Sequence, residues 1–115
     1  MGRSHANLLR GALELLILKS LSWEPRHGYG IAEWIESATD ATLLVEEGTL
    51  YPALHRLEAK KWIRADWGLS ENNRHAKFYE LTSRGRKQLD SETAVWQEYS
   101  EAVTRALTLE TSMPQ

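Results

Sequence analysis

The chain has 115 residues, 42% of them hydrophobic, which is enough for one compact domain and an appended element. It contains no cysteine, and this excludes a disulfide framework and a thiolate metal site. The most apolar stretch, residues 13–21, is short and carries Glu14 and Lys19, so it is neither a membrane span nor a signal sequence. We therefore expect a cytoplasmic protein without a membrane partner.

The formal net charge of -2 hides an uneven distribution of charged side chains. Residues 1–54 carry four basic and seven acidic side chains, and residues 88–115 carry one basic and five acidic ones. Residues 55–87 carry nine basic and four acidic side chains, a net charge of +5. DNA binding needs a local basic patch rather than a basic total. The central block therefore permits a nucleic-acid partner, with an ordinary solvated surface as the alternative.

The first part of the sequence predicts two amphipathic helices. Apolar residues recur at helical spacing over residues 8–22, and Pro25 ends this helix because proline disfavours helical backbone in the residue before it. Ile31 and Ile35 share the apolar face of a second helix over residues 28–38. A short polar connection then leads to a third helix.

The third helix is predicted from a leucine repeat that runs from Leu50 to Leu57. A proline, Pro52, would break a helix interior but is tolerated in a first turn, where its missing N–H has no intrahelical acceptor. The helix is therefore expected to begin between Glu46 and Thr49.

After the third helix the period of the apolar pattern changes from 3.6 to 2, which predicts strands. The alternation covers residues 63–69 and 77–81, on either side of a polar tip at residues 70–75. These two strands form a β-hairpin. Thr82 is a suitable N-cap for a last helix that meets no breaker before about Leu109.

The last helix would span roughly 40 Å at about 1.5 Å per residue, which is too long for its own domain to bury. Its apolar stripe is therefore expected to pair with a second copy of the chain. The residues expected in this dimer interface are Leu89, Trp96, Val103 and Leu107.

These elements predict a mainly α-helical fold with a small β-hairpin, arranged as a winged helix-turn-helix with a long C-terminal dimerisation helix. We expect the winged helix-turn-helix domain over residues 1–82 and the dimerisation helix over residues 83–109. Residues 110–115 are expected to form a disordered tail.

Five tryptophans are many for a chain of this length. Trp62 and Trp67 are expected to close the domain core, and Trp23 and Trp34 to lie in it or at its edge. Trp96, midway along the last helix, is expected between the two subunits. It either packs there as an ordinary interface residue or stacks on a planar aromatic ligand.

The outer face of the third helix is the first candidate surface for DNA. Thr49, Tyr51, His55 and Arg56 supply hydrogen-bonding groups there, and small neighbours permit close approach. Such a helix suits a major groove, where Arg56 can fork onto a guanine. A solvated helix face is the alternative.

The hairpin tip is the second candidate surface, because Asn73, Arg74 and Lys77 give it a basic character. A basic tip next to such a helix would contact the phosphate backbone or the minor groove, with a plain polar turn as the alternative. Tyr29, at the start of the second helix, either reaches a phosphate or packs on the core.

The sequence contains no pattern typical of an enzyme or a metal site. None of the four histidines pairs with another at i+3 or i+4, and no Ser/His/Asp arrangement or phosphate-cradling glycine loop is present. We therefore expect no catalytic activity, no metal and no cofactor.

The chain resembles the PadR family of bacterial transcriptional regulators over roughly residues 8–107. The run Gly-Thr-Leu-Tyr-Pro at residues 48–52, followed by the leucine pattern, is the most specific part of the resemblance. The matching stretches are residues 10–18, 27–31, 47–58 and 77–82, with Gly85 after the last.

The resemblance implies a winged-helix fold, a dimer through the C-terminal helix and binding to a palindromic operator, usually as a repressor. It also places the candidate residues of the third helix on the element that reads DNA. Arg74 and Lys77 lie on the wing by the same comparison. Lys61 stands where glycine is frequent in the family, so a different local turn is expected.

The predicted function is that of a homodimeric DNA-binding transcriptional regulator, a repressor by resemblance, with double-stranded operator DNA as its partner. One alternative is a sensor in which a small aromatic effector near Trp96 controls release from DNA. Another is a winged-helix module that binds proteins and never contacts DNA, although the basic block disfavours it.

Overall fold

The computed structural model describes residues 12–112. It begins in helix α1, whose described part covers residues 12–20. The predicted start of that helix at residue 8 and the last part of the predicted tail, residues 113–115, lie outside the described residues. The other elements are β1 (Arg26–His27), α2 (Gly28–Ala38), α3 (Glu47–Ala59), β2 (Ile63–Leu69), β3 (His75–Leu81) and α4 (Ser83–Leu107).

The predicted order of helices and strands is confirmed, with one addition. β1 was not predicted, and it turns the hairpin into a three-stranded antiparallel sheet in the order β1-β3-β2. Arg26 pairs with Tyr79 and His27 with Phe78, so β1 lies beside the second strand of the hairpin. This pairing ties the start of α2 to the wing.

The core forms where the apolar faces of α1, α2 and α3 meet one face of the sheet and the start of α4. Fully burying a leucine or isoleucine side chain contributes roughly 1.5–3 kcal/mol, so this cluster is the main source of stability. Its buried apolar members are Leu13, Ile17, Leu18, Leu21, Ile31, Ile35, Leu50, Ala53, Leu54, Leu57, Ile63, Tyr79 and Leu89.

Helix α3 begins at Glu47, within the predicted interval, but Pro52 is its sixth residue and lies in the second turn. The expectation that this proline lies in the first turn is wrong. Proline at that point leaves the carbonyl of Gly48, four residues earlier, without its usual helical donor. Gly48 is exposed, so water can satisfy the carbonyl that Pro52 leaves unbonded.

Helix α3 ends in a left-handed residue, Lys61, with φ of 65°. The N–H of Trp62 donates to the carbonyl of Leu57 at 3.1 Å, and the N–H of Lys61 donates to that of Glu58 at 3.0 Å. This pair of bonds is the Schellman motif, which favours glycine at the left-handed position. Lys61 therefore forms the same turn that a glycine would form at this position. The expectation that lysine would give a different local turn is wrong.

The wing extends beyond the helices, and this corrects one prediction about the core. Trp67 lies on the same face of β2 as buried Ile63, yet it is 68% exposed. The predicted place of Trp67 in the core is wrong, because no helix covers this part of the strand. Trp62 is half-buried at the core edge, and so is Trp34, whereas Trp23 is exposed.

Helix α4 begins as predicted, with the Thr82 hydroxyl accepting a hydrogen bond from the N–H of Gly85 at 3.0 Å. Its first two turns pack on the domain through Gly85 and Leu89, and most of the remainder is exposed. The molecule is correspondingly elongated, with principal extents of 59 × 32 × 21 Å. Within residues 12–112 no helix combines the length and apolar character that crossing a membrane requires.

Candidate nucleic-acid interface

Helix α3 divides cleanly into a buried face and an exposed face. The leucines and Ala53 point into the core, which fixes the rotation of the helix on the domain. Thr49, Pro52 and His55 are exposed on the opposite side, as are the small residues Gly48 and Ala59. The predicted outer face is therefore available to a large ligand along most of the helix.

A groove of about 680 Å³ separates this face from the wing. Its walls include five of the predicted DNA-binding residues: Tyr29, Tyr51, His55, Arg74 and Lys77. Other side chains that line it are those of His27, Trp67 and His75, together with the carboxylates of Glu33 and Glu71. The fold thus gathers aromatic, imidazole and cationic groups from α2, α3 and the wing around one depression.

Asn73 forms the turn of the wing instead of lining the groove. It has a left-handed φ of 59°, and its N–H donates to the carbonyl of Ser70 at 2.9 Å. Asparagine tolerates this conformation better than most residues. Its position shapes the tip that carries Arg74.

His27 is a structural residue at the base of the groove. Its Nδ1 accepts a hydrogen bond from the N–H of Gly30 at 3.0 Å and so caps α2. Its ring packs edge-on against Phe78 of β3, and its Nε2 lies 3.8 Å from a carboxylate oxygen of Glu71 in the wing turn. The imidazole therefore joins the start of α2 to β3 and to the turn of the wing.

Lys77 contacts α3 from the wing side. Its Nζ lies 3.6 Å from a carboxylate oxygen of Glu58 and 5.7 Å from the centre of the Tyr79 ring. Burial raises the pKa of the Tyr79 hydroxyl, and the negative charge of Glu58 raises it further. The Tyr79 hydroxyl is therefore neutral at physiological pH.

Arg56 lies on the other flank of α3, beside α1. Its Nε donates to Glu14 Oε2 at 2.8 Å, and the Nζ of Lys60 donates to Glu14 Oε1 at 3.1 Å. Burial opposes ionisation of Glu14, but the hydrogen bonds and positive charges of Arg56 and Lys60 outweigh it and lower the pKa of the carboxyl below its usual 4.5. Neither Glu14 nor Lys60 was predicted at this surface.

Acidic side chains line a second, wider depression between α2 and the start of α3. This depression adjoins the groove, because His27, Tyr29, Glu33, Tyr51 and Glu71 line both. Its carboxylates repel a polyanion. The acidic residues are Glu24, Glu33, Glu36, Asp40, Glu46, Glu47 and Glu71.

The stripe of α4 is exposed, with one exception. Trp96 is 43% exposed and Leu107 is 80% exposed, and Val103 lies between them on the same face. Leu89, by contrast, is only 5% exposed because it packs in the core of its own domain. It is not available to a second copy, and Tyr99 is an exposed member of the stripe that was not predicted.

Two helices joined by a connection of eight residues, a third helix behind them and a sheet whose free end flanks α3 define a winged helix-turn-helix protein. The model of the PadR-like family of transcriptional regulators matches residues 17–91, and the chain belongs to this family. The resemblance found in the sequence is thereby confirmed.

Individual relatives agree with this assignment. A PadR-like transcriptional regulator from Bacillus cereus is 30% identical and superposes with a TM-score of 0.78, over 90% of this chain and 99% of that one. A transcriptional regulator from Clostridium thermocellum is 27% identical with a TM-score of 0.77, over 86% and 96% of the two chains. Protein X of Lysinibacillus sphaericus, itself uncharacterised, is 32% identical over 85% of this chain and 90% of that protein.

Proposed function

We propose that this regulator acts by binding operator DNA, with α3 in the major groove and the wing on the adjacent backbone. The observation that carries the proposal is the continuous exposed surface from the outer face of α3 across the groove to Arg74. Thirteen residues give α3 a length of about 20 Å, and a major groove admits one such helix. Thr49 and His55 then face the base edges.

The wing supplies contacts that are independent of sequence. Arg74 and Lys77 are cations at and behind its tip, where they neutralise phosphates and fix the orientation of α3. Trp67 and Tyr29 offer flat apolar surface against the sugar-phosphate backbone at the same depression. Specificity thus comes from α3, and a large part of the affinity comes from the wing.

Titration of labelled duplexes taken from the region upstream of its own gene, at several salt concentrations, tests the proposal. We expect binding that weakens steeply with salt, and Arg74→Ala should reduce the slope of log affinity against log salt by about one. Arg64→Ala is the matched control, because Arg64 pairs with Glu80 on the sheet and does not line the groove. Binding that is absent or independent of salt contradicts the proposal.

The dimer is the second part of the proposal. The apolar stripe of α4, defined by Trp96, Tyr99, Val103 and Leu107, recurs every three to four residues and faces solvent in the isolated chain. Pairing two such stripes removes them from water and places two α3 helices so that they can bind the two halves of one palindromic operator. Half-sites one turn of DNA apart then require about 34–36 Å between the two helices. Repression follows if such an operator overlaps a promoter.

Sedimentation equilibrium tests the dimer directly. Val103→Glu places a charge within the stripe and should give a monomer. Ala94→Glu places the same charge on the opposite, exposed side of α4 and should leave the dimer intact. A wild-type monomer, or equal effects of the two variants, contradicts a dimer through this stripe.

A ligand at the paired stripes is a second candidate function. The rings of Trp96 and Tyr99 lie 6.4 Å apart and are both exposed, so two copies present four aromatic rings at one interface. Such an arrangement suits a planar aromatic effector. Quenching of tryptophan fluorescence by a panel of aromatic compounds should be lost in Trp96→Phe and kept in Trp23→Phe. No quenching by any compound in the panel rules against it.

A further inference from the structure

We infer that Glu14 is a positioning residue for DNA recognition, which holds Arg56 in the orientation needed for a two-pronged contact with guanine. The inference rests on the proposed function, because it concerns how α3 reads its operator. Glu14 belongs to α1, which is not expected to contact DNA itself. Its effect on recognition is therefore exerted through Arg56.

The geometry of the contact carries the inference. Of the three guanidinium nitrogens of Arg56, only Nε donates to Glu14, and in the described part of the chain the two terminal nitrogens donate to no protein group. An arginine recognises guanine through two parallel N–H groups that meet O6 and N7. Binding at Nε therefore fixes the guanidinium plane and leaves the pair Nη1 and Nη2 for a base.

The carboxylate is itself held in place. Its second oxygen accepts from Lys60 at 3.1 Å, and the Nζ of Lys60 also lies 4.5 Å from the centre of the Trp62 ring at the end of α3. Glu14 thus bridges two cations that are four residues apart on one helix face, where their like charges would otherwise repel. An arginine with one anchored nitrogen loses less side-chain freedom when it binds DNA.

Glu14 can also act on DNA in a simpler way, as a negative charge that weakens binding of every duplex. The two roles have opposite signatures. Removal of a repelling charge strengthens binding to all sequences equally. Loss of positioning lowers the ratio of affinity for the operator to affinity for unrelated DNA, whether the absolute affinities rise or fall.

Two variants of Glu14 separate these roles. Glu14→Asp keeps the charge but withdraws the carboxylate by one methylene, so it loses reach to Arg56. Glu14→Gln keeps the shape and one acceptor oxygen but removes the charge. Glu80→Asp is the matched control, since Glu80 pairs with Arg64 at 2.6 Å outside the groove. Unfolding midpoints of all variants check that they fold.

The experiment first selects preferred duplexes from a random library with the wild-type protein, and then measures affinity for the best duplex and for an unrelated one. We expect Glu14→Asp to lower the affinity ratio about tenfold, the discrimination that one bidentate contact supplies. We expect Glu14→Gln to raise affinity for the unrelated duplex and to change the ratio less. Glu80→Asp should leave both unchanged.

The background variant Arg56→Ala completes the test. It should lose the same discrimination, and adding Glu14→Asp to it should have no further effect on the ratio. If Glu14→Asp keeps the wild-type ratio while Arg56→Ala loses it, the positioning role is wrong and the proposed function stands. If the wild-type protein enriches no duplex, the positioning role of Glu14 and the proposed function are both overturned, because Arg56 then makes no base contact that Glu14 could position.

Discussion

The hydroxyl of Tyr51 on α3 lies over Gly28, the first residue of α2, so closely that a Cβ on Gly28 would be 2.5 Å from the hydroxyl oxygen. Glycine at this buried position therefore sets where the tyrosine ring lies in the groove between α3 and the wing. The sequence His-Gly-Tyr-Gly at residues 27–30 is in this way coupled to the side of α3 that we propose faces DNA.

We expect Gly28→Ala to move the Tyr51 ring instead of unfolding the protein, because the crowded atom is the far end of a side chain. The free energy of unfolding should change by less than about 1 kcal/mol, since alanine also favours the helix over glycine. Affinity for operator DNA should fall several-fold. Titration of labelled duplex, with chemical denaturation alongside, measures both quantities.

Two further variants make that result specific. In a Tyr51→Phe background Gly28→Ala should cost less affinity, because the closest atom is gone. Gly30→Ala, whose Cβ would meet only ordinary contacts at 3.5 Å, should leave DNA affinity unchanged. Equal losses for Gly28→Ala and Gly30→Ala would show that helix α2, and not Tyr51, is responsible.

Gly85 near the start of α4 tolerates no side chain at all. A Cβ there would overlap the carbonyl oxygen of Trp62 and lie 2.8 Å from its carbon. This carbonyl is backbone and accepts the N–H of Thr82 at 3.0 Å, so it cannot move without breaking the junction of sheet and helix.

Gly85→Ala should consequently reduce the free energy of unfolding by about 3 kcal/mol or more, at the upper end of overpacking effects. Gly48→Ala is the matched control, because a Cβ on Gly48 meets nothing within 4 Å and alanine is the better helix former. That control should stabilise the protein by about 0.5–1 kcal/mol. Urea denaturation of the two variants would contradict this account if both changed stability by the same amount.

The elements that the sequence predicts well are those with a repeated local signal. Helices α2 and α3 have their apolar residues three and four apart, and Thr82 begins α4 as a cap with a recognisable chemistry. β1 was missed because two residues, Arg26 and His27, have no period. Its existence depends on pairing with Tyr79 and Phe78, about fifty residues later.

The wrong predictions about individual side chains have the same cause. The environment of each of these side chains is set by residues that are distant in sequence. The alternation of β2 puts Trp67 on the correct face, but only the tertiary arrangement shows that the sheet there extends past the helices. Leu89 belongs to the stripe of α4, yet its own domain covers it. Arg56 was predicted on the outer part of α3, while its partner Glu14 is 42 residues away and leaves no local pattern.

Lys61 adopts the left-handed backbone that glycine adopts more readily, and the cost of that conformation is roughly 1–2 kcal/mol for a residue with a Cβ. Lys61→Gly should therefore raise the free energy of unfolding by about 1 kcal/mol, part of the gain being lost to the greater freedom of glycine in the unfolded chain. Thermal denaturation measures the effect. Lys61→Ala, which removes the charge but keeps the Cβ, should give no such gain, and an equal gain would point to charge instead of backbone.

The ion pairs of Glu14 also predict how stability depends on pH. Hydrogen bonds from Arg56 and Lys60 lower the pKa of this carboxyl in the folded protein below 4.5, its usual value. Between the two pKa values the unfolded chain binds more protons than the folded one, so stability rises with pH in that window. The contribution of Glu14 is complete above about pH 4.5 and is lost as the pH falls through the lowered pKa.

Replacing the carboxyl by an amide should abolish this dependence. The free energy of unfolding of Glu14→Gln should lie below that of the wild type near neutral pH, and the two should converge in acid. Glu80→Gln, which breaks the ion pair between Glu80 and Arg64 on the sheet, serves as the comparison. If the difference between wild type and Glu14→Gln is constant from neutral pH into acid, ionisation of Glu14 does not contribute to the stability of the fold, and the predicted pH dependence is wrong.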